Sequence, residues 1–233
     1  MLNGYSASAS EFFAAALQDY NRALIIGTTS LGKASMQAIL PLEENNDKEF
    51  LKLTIEKFYR ITGDSHQIKG IIPDVIMPTL FDSLIKREDS FASALPYNVI
   101  KTSTRFTPLP KMYNNQILAL SKDRIERDNR FKEINNINKE INWIYNEPRK
   151  PIRLTFSDVF EATHETDALW DKVKKITLEE TDYTIKNNTY DVQKLGYDDA
   201  RKEINAFKIK DIKSNPYVAE AISIIDDYKK SKP

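Results

Sequence analysis

The chain has 233 residues, and its 34 Lys and Arg balance 34 Asp and Glu, so the formal net charge is zero. This balance provides no basic footprint for nucleic acid or an anionic membrane surface, and no apolar run reaches the roughly 18 residues of a membrane span. The absence of Cys excludes thiol catalysis, disulfides and Cys-based zinc sites, and two His leave little room for a His-rich metal site.

The first 80 residues have the pattern of an α/β layer. Residues 9–20 predict a helix from their apolar spacing, and the apolar run Arg22–Gly27 predicts a short buried strand ended by glycine. Residues Leu51–Thr62 alternate for most of their length, which predicts a longer strand. Five of the six glycines lie in the first 70 residues, so tight turns should concentrate here.

The rest of the chain predicts a connecting segment followed by a helical domain. Five of the ten prolines lie between Pro73 and Pro110, which indicates a connecting segment over residues 81–112. Residues 113–233 predict the helical domain, in which isoleucines repeat on one helical face from Ile134 to Ile144. Further helices are predicted over Thr155–Lys175 and Asn215–Lys230, the second with Pro216 at its first position.

Ser8, at the start of the first predicted helix, admits two interpretations. With Glu11 three residues later, it fits a capping box, a common structural device. Alternatively, its hydroxyl is a nucleophile at the positive end of the helix dipole. In that case the backbone N–H of Ala9 is the natural donor to a developing oxyanion.

A serine nucleophile needs a base, and Lys33 is the best candidate. It follows the strand predicted at 22–27, and its long side chain could reach a neighbouring loop. A lysine acts as a base only when it is neutral, which burial favours. The two histidines, His66 and His164, fit surface positions better than catalytic ones.

Two other functions compete with this interpretation. Residues Gly27–Lys33 match the phosphate-loop pattern G-x-x-x-x-G-K after an apolar strand, which would indicate nucleotide binding. Against it, Ala34 stands where a magnesium-binding hydroxyl is required, and no clear strand ending in a metal-binding Asp follows. The other alternative is a non-catalytic interaction domain, with the helical half as the functional part.

Several segments together resemble the tail-specific, or C-terminal processing, serine proteases. The resemblance is carried by the segments Ser6–Glu11, Gly32-Lys33 with Gln37, Leu53–Arg60, Lys69–Asp74 and, in the tail, Asn215–Ala221. The 25-residue separation of Ser8 and Lys33 also fits this family. Leu31, Ala34 and Asn21 depart from its usual residues, which affects the expected loop geometry more than the roles of Ser8 and Lys33.

The resemblance implies a serine endopeptidase with a Ser8–Lys33 dyad, Gln37 to orient the lysine and the Ala9 N–H in the oxyanion hole. It implies a crotonase-like α/β layer over residues 1–80 that is only partial, no cofactor, and protein or peptide substrates with accessible C-termini. Family members carry a PDZ domain and further protease segments upstream, so we expect a C-terminal fragment that is inactive alone. The signal peptide of a periplasmic or envelope protein would then also lie upstream.

Overall fold

The computed structural model describes residues 1–43, 48–111, 113–148 and 151–231. The chain divides into two compact units, Met1–Leu118 and Ala119–Pro233. The predicted end of the connecting segment at residue 112 lies outside the described residues, as do residues 149–150 and 232–233 of the predicted helical domain.

The first unit combines one helix with short strands. Its elements are α1 (Ala9–Asp19), β1 (Ile26–Gly27), β2 (Ser35–Pro41), β3 (Phe50–Lys57) and β4 (Val75–Ile76), followed by 3-10 turns at Asp82–Leu84 and Glu88–Ser90. Strands β1 and β4 pair in parallel, and Leu2 forms an isolated parallel bridge to Gly27. Strands β2 and β3 form a separate antiparallel pair. The predicted mixture of helix and strand is therefore present.

The core of this unit lies between α1 and the parallel strands. Ala14 and Ala15 of α1 are buried in one cluster with Leu2, Ile25 and Ile71. Alanine side chains let the helix approach the strands closely, and they favour the helix intrinsically. The helix predicted at residues 9–20 is thus confirmed, and its small apolar face fixes its distance from β1.

The strand predicted at Arg22–Gly27 is shorter than expected, because its first residues still end α1. Asn21 has a φ of 55°, and the Arg22 N–H donates to the Leu17 carbonyl at 2.8 Å. This left-handed turn is one that asparagine tolerates better than most residues. Only Ile26 and Gly27 are free to pair as β1.

The antiparallel pair corrects the prediction for residues 51–62. Strand β3 ends at Lys57 rather than Thr62, because the chain turns there: the Arg60 N–H donates to the Asp64 carbonyl and the Gly63 N–H to the Arg60 carbonyl. Its partner β2 was not predicted. The apolar residues Leu51, Leu53 and Ile55 alternate as expected, but each stays about half exposed.

The second half of the chain is helical, as predicted. Its helices are α2 (Asn115–Arg127), α3 (Asn129–Asn146), α4 (Phe156–His164), α5 (Asp167–Leu178), α6 (Thr189–Leu195), α7 (Asp199–Lys213) and α8 (Pro216–Ser231). Over the described ranges, no helix combines the length and the apolar character that crossing a membrane requires. Helix α8 begins at Pro216, the expected first position.

The isoleucine face of α3 is core. Ile134, Ile137, Ile141 and Ile144 are buried, and α3 packs against α5. The single helix predicted over Thr155–Lys175 is instead two helices, α4 and α5, each with its own N-terminal threonine. The break at residues 165–166 separates α4, which has no buried residue, from α5, which buries three apolar side chains.

A buried ionic cluster joins α2 to α8. The Arg124 guanidinium donates to both carboxylate oxygens of Glu220 and, at 2.6 Å, to Asp227. The Ser121 hydroxyl donates to Glu220 at 2.6 Å. The Glu220 side chain is only 6% exposed, so its charge depends on these partners.

Glu220→Ala should destabilise this unit by about 2–3 kcal/mol, because it leaves the Arg124 guanidinium and the Ser121 hydroxyl without their shared acceptor. Both tryptophans, Trp143 and Trp170, lie in this unit, so urea unfolding followed by tryptophan fluorescence reports on it alone. The matched control Glu126→Ala removes an exposed pair with Lys122 and should change stability by less than about 0.5 kcal/mol. Equal effects of the two variants would contradict a structural role for the cluster.

Candidate active site

Ser8 immediately precedes α1 in a strained backbone conformation. Its φ is 57° and its ψ is −119°, in a region that a residue with a side chain rarely adopts. The Ser8 N–H donates to Glu11 Oε2 at 2.8 Å, so the capping box favoured by the sequence is present. Such strain costs about 1–3 kcal/mol and is common at functional sites.

The Glu11 carboxylate is the centre of the site. The side chain is fully buried, and four donors surround it. Oε1 accepts from the Ser30 hydroxyl at 2.5 Å and from the Gly32 N–H at 2.7 Å. Oε2 accepts from the Ser8 N–H at 2.8 Å and from the Lys33 N–H at 2.9 Å. One carboxylate oxygen thus holds the backbones of Ser8 and Lys33 side by side.

The side chains of Lys33 and Gln37 are brought together by β2. Lys33 Nζ donates to Gln37 Oε1 at 3.3 Å, and Gln37 Nε2 donates to Thr54 Oγ1 on β3 at 3.4 Å. Among the described residues, no hydrogen bond joins the Ser8 and Lys33 side chains, and no acceptor binds the Ala9 N–H. Ala9 is therefore a free donor at the start of α1, beside Ser8.

The loop that matches the phosphate-binding pattern does not have the structure of a phosphate-binding loop. Its amides are used within the protein: the N–H groups of Thr28, Ser30, Leu31, Gly32 and Lys33 donate to acceptors elsewhere in the first unit. A phosphate-binding loop needs these amides to converge on the ligand and a helix to follow. Here strand β2 follows instead. The nucleotide-binding alternative is therefore disfavoured.

The segment Lys69–Asp74 supports the same loop from the other side. Gly70 has a φ of 67°, and a Cβ there would lie 2.5 Å from the Ser30 carbonyl oxygen, so glycine is required. The Ile71 N–H donates to the Ser30 hydroxyl at 2.6 Å. Asp74 Oδ2 accepts from the Ile25 N–H at 2.8 Å. This turn therefore holds the middle of the loop at Ser30 and the residue that precedes β1.

The two histidines differ. His164 is exposed, as the sequence indicated, but His66 is only 2% exposed, so the expectation of a surface position was wrong for it. Neither His66 ring nitrogen has a hydrogen-bond partner among the described residues. Burial lowers the pKa of His66, the Arg60 guanidinium lowers it further, and the Glu11 carboxylate opposes both. Within the same described residues, no group of acidic and histidine side chains is arranged to hold a metal ion.

The sequence analysis missed most of what Glu11 does. The capping-box pattern predicts its bond to Ser8, but the other three donors lie about 20 residues away in the sequence. A glutamate near a serine gives no signal for a loop that approaches it only in the folded chain. The roles of Ser8, Lys33, Gln37 and Ala9 stay predictions at this point.

Glu11→Gln should destabilise the first unit by at least about 3 kcal/mol, because an amide group would turn N–H donors toward donors in a buried site. Amide signals of Ala14 and Ile25 followed by NMR during urea unfolding report on this unit. Glu56→Gln, on the exposed surface of β3, is the matched control and should stay within about 0.5 kcal/mol. A Glu11→Gln variant as stable as this control would show that the carboxylate is dispensable.

Acidification should also destabilise the first unit through His66. Because its pKa is lower in the folded state than its ordinary value of about 6.5, the unfolded chain binds more protons below that pH. The contribution of neutral His66 to the free energy of unfolding is fully present above pH 6.5. It decreases as the pH falls, by at most about 1.4 kcal/mol per pH unit. His66→Phe should flatten this part of the pH profile of unfolding, and His164→Phe should not. Parallel wild-type and His66→Phe profiles between pH 7.5 and 5.5 would contradict the assignment.

Comparison with known proteins adds independent evidence for these segments. The model of Peptidase family S41 matches residues 1–77. The tail-specific protease of Haemophilus influenzae is 41% identical over 109 residues, which are 45% of this chain and 16% of that protein. The carboxy-terminal-processing protease of Bartonella bacilliformis is 52% identical over 77 residues, covering 33% of this chain and 17% of that protein. A probable CtpA-like serine protease of Staphylococcus aureus (strain COL) is 35% identical over 162 residues, 61% of this chain and 30% of that protein.

The chain thus spans less than a third of the length of each of these relatives. The matched region includes the strained Ser8, the Glu11 carboxylate, the Lys33–Gln37 pair and the glycine turn before Asp74. These are among the segments on which the sequence resemblance was based, and hydrogen bonds to Glu11 join the backbones at Ser8 and Lys33 in the folded first unit. Residues 1–77 of this chain therefore match the model of Peptidase family S41 and are similar to segments of proteins named tail-specific protease and carboxy-terminal-processing protease.

Proposed function

We propose that this chain is the C-terminal part of a serine endopeptidase that cleaves proteins near their C-termini. Ser8 is the nucleophile, Lys33 the general base, Gln37 the residue that orients the lysine, and the Ala9 N–H an oxyanion donor. The observation that carries the proposal is the shared bond of the Ser8 and Lys33 amides to one oxygen of Glu11. Through these two hydrogen bonds, the buried carboxylate of Glu11 holds the backbones of the two predicted catalytic segments next to each other.

The chemistry is acyl transfer. Neutral Lys33 takes the proton of the Ser8 hydroxyl as its oxygen attacks the substrate carbonyl carbon, and the Ala9 N–H stabilises the negative oxygen of the tetrahedral intermediate. Lys33 then returns the proton to the leaving amine, and the peptide bond breaks. Water, deprotonated by the same lysine, attacks the acyl ester. The bond to the Ser8 oxygen breaks, Lys33 returns the proton to that oxygen, and the new carboxyl terminus is released. This sequence needs no metal or cofactor.

Several broader properties belong to the same proposal. We expect a crotonase-like α/β layer completed by further protease segments and a PDZ domain, with protein or peptide substrates whose C-termini are accessible. We also expect a periplasmic or envelope location. The similarity to a tail-specific protease of Haemophilus and a carboxy-terminal-processing protease of Bartonella supports the tail-specific substrate class. The share of their length that this chain spans supports the proposal that it is one part of a larger catalytic protein.

A graft tests the catalytic assignment directly. Residues 1–77 replace the matching segment of the Bartonella protease, and cleavage of a peptide with a defined C-terminal tag is followed by mass spectrometry. Ser8→Ala and Lys33→Arg should each lower kcat by at least about 10⁴-fold, since a guanidinium cannot act as the base. Lys52→Arg, on the exposed surface of β3, is the matched control and should leave kcat unchanged. An active Lys33→Arg graft would remove Lys33 as the base.

The chain by itself should show no turnover of casein or of the tagged peptide. It offers Ala9 as one oxyanion donor, and loss of a second donor alone costs about 10²–10³ in kcat. Turnover by the isolated chain that disappears in Ser8→Ala would show that these 233 residues hold a complete site.

A further inference from the structure

The segment predicted as a mere connection contacts the loop that leads to Lys33. The Glu88 N–H donates to the Leu31 carbonyl at 3.0 Å, and Arg87 Nη2 donates to the Thr29 carbonyl at 3.2 Å. Arg87 is itself held by the Asp82 carboxylate through two hydrogen bonds, at 2.7 and 2.9 Å. Residues 82–95, here called the strap, therefore lie along this loop within the first unit.

Gln67 links the strap to the residue after Lys33. Its side chain is fully buried, and its Oε1 accepts from the Ala34 N–H at 2.8 Å. Its Nε2 donates to Glu88 Oε1 at 3.1 Å and to the Leu95 carbonyl at 3.0 Å. The Ser65 hydroxyl accepts from the Gln67 backbone N–H, which fixes the start of the side chain.

The chemistry of these contacts gives the amide one orientation. The partner on one side is a donor, and the two on the other side are acceptors, so a flipped amide would lose all three hydrogen bonds. Ala34 is completely buried, and its N–H would be left without a partner if Gln67 moved. The position of the chain directly after Lys33 is thus set by a side chain that the strap holds.

We propose that Gln67 is a positioning residue for Lys33 and that Glu88 of the strap holds it in place. Glu11 binds the amide of Lys33 itself, and Gln67 binds the next amide, so two consecutive N–H groups are fixed from two directions. Together they set the direction in which the lysine side chain leaves the backbone, toward Gln37. The functional meaning of this orientation rests on the proposed role of Lys33 as the base. For a base, a displacement of its reacting amine by about 1 Å can cost about 10² in rate.

The test measures the lysine itself, so it needs no peptidase activity. Trace acetic anhydride labels the native 233-residue chain at one fixed pH, and mass spectrometry gives the acetylation rate of Lys33 relative to the exposed Lys122. Hydrogen exchange of the Ala34 amide is read by NMR on the same samples. In Gln67→Met we expect exchange at Ala34 to accelerate about five- to tenfold, as for the loss of one net hydrogen bond. The acetylation rate of Lys33 should move toward that of Lys122, because the lysine side chain is then no longer held toward Gln37.

Variants of the strap separate positioning from general destabilisation. Glu88→Ala removes one of the two acceptors of Gln67 Nε2 and should shift both readouts in the same direction, by less. Glu88→Gln keeps an acceptor oxygen and should restore the wild-type values. Gln116→Met, an exposed glutamine of α2, is the matched control and should change neither. If Gln67→Met fails to fold, the pair Glu88→Ala and Glu88→Gln decides the question alone.

Faster exchange at Ala34 with an unchanged acetylation rate of Lys33 would show that Gln67 has only a structural role and would overturn the inference. Unchanged exchange at Ala34 would overturn it as well. The outcome is distinct from failure of the proposed function, which is read separately in the Lys33→Arg graft. An active Lys33→Arg graft would contradict both the base role of Lys33 and the positioning role of Gln67. An inactive graft, together with no effect of Gln67→Met on Lys33, would contradict only the positioning role.

Discussion

The buried carboxylate of Glu11 is the interaction on which the first unit depends. A carboxylate without contact to water is costly unless hydrogen bonds compensate for the lost hydration. Here four donors do so, and they come from two separate parts of the chain, the start of α1 and the loop before β2. Because the charge requires all of these partners, it selects the one arrangement in which the two segments meet. The strain at Ser8 persists because its N–H is one of those donors.

The same requirement explains why amides of the glycine-rich loop are used within the protein. The side chains of Glu11 and Gln67 accept from the N–H groups of Gly32, Lys33 and Ala34. Backbone carbonyls accept from the N–H groups of Thr28, Ser30 and Leu31. A motif of glycines and a lysine describes only where a chain can turn. Whether its amides face a ligand or the protein depends on what packs beside it, and here a carboxylate of the protein occupies the position that an anion would take.

The helical unit is organised by a different balance. Apolar periodicity places the isoleucines of α3 in the core. Between α2 and α8, the hydrogen bonds to Glu220 form only when the two helices are correctly aligned. Apolar contacts have no preferred direction, whereas the Arg124 guanidinium must reach the carboxylates of Glu220 and Asp227 at the same time. A buried ionic group of this kind contributes specificity of packing more than net stability. The break between α4 and α5 follows from the same packing, since only α5 has a face to bury against α3.

The sequence by itself determined the elements whose signals are local. These are the helix after Ser8, the helical second half, the isoleucine face of α3, the start of α8 at Pro216 and the motifs shared with tail-specific proteases. Local patterns suffice there because helix periodicity and capping act over three or four residues. The tertiary structure alone decided the length of β1, the pairing of β2 with β3, the burial of His66 and the roles of Glu11 and Gln67. The strand pairings and the contacts of Gln67 join residues from 9 positions apart, as for Pro41 and Phe50, to 49, as for Ile26 and Val75. A hydrogen bond over such a separation leaves no periodic trace in one sequence. The predicted catalytic residues could therefore be named from the sequence, but the groups that hold them in place could not.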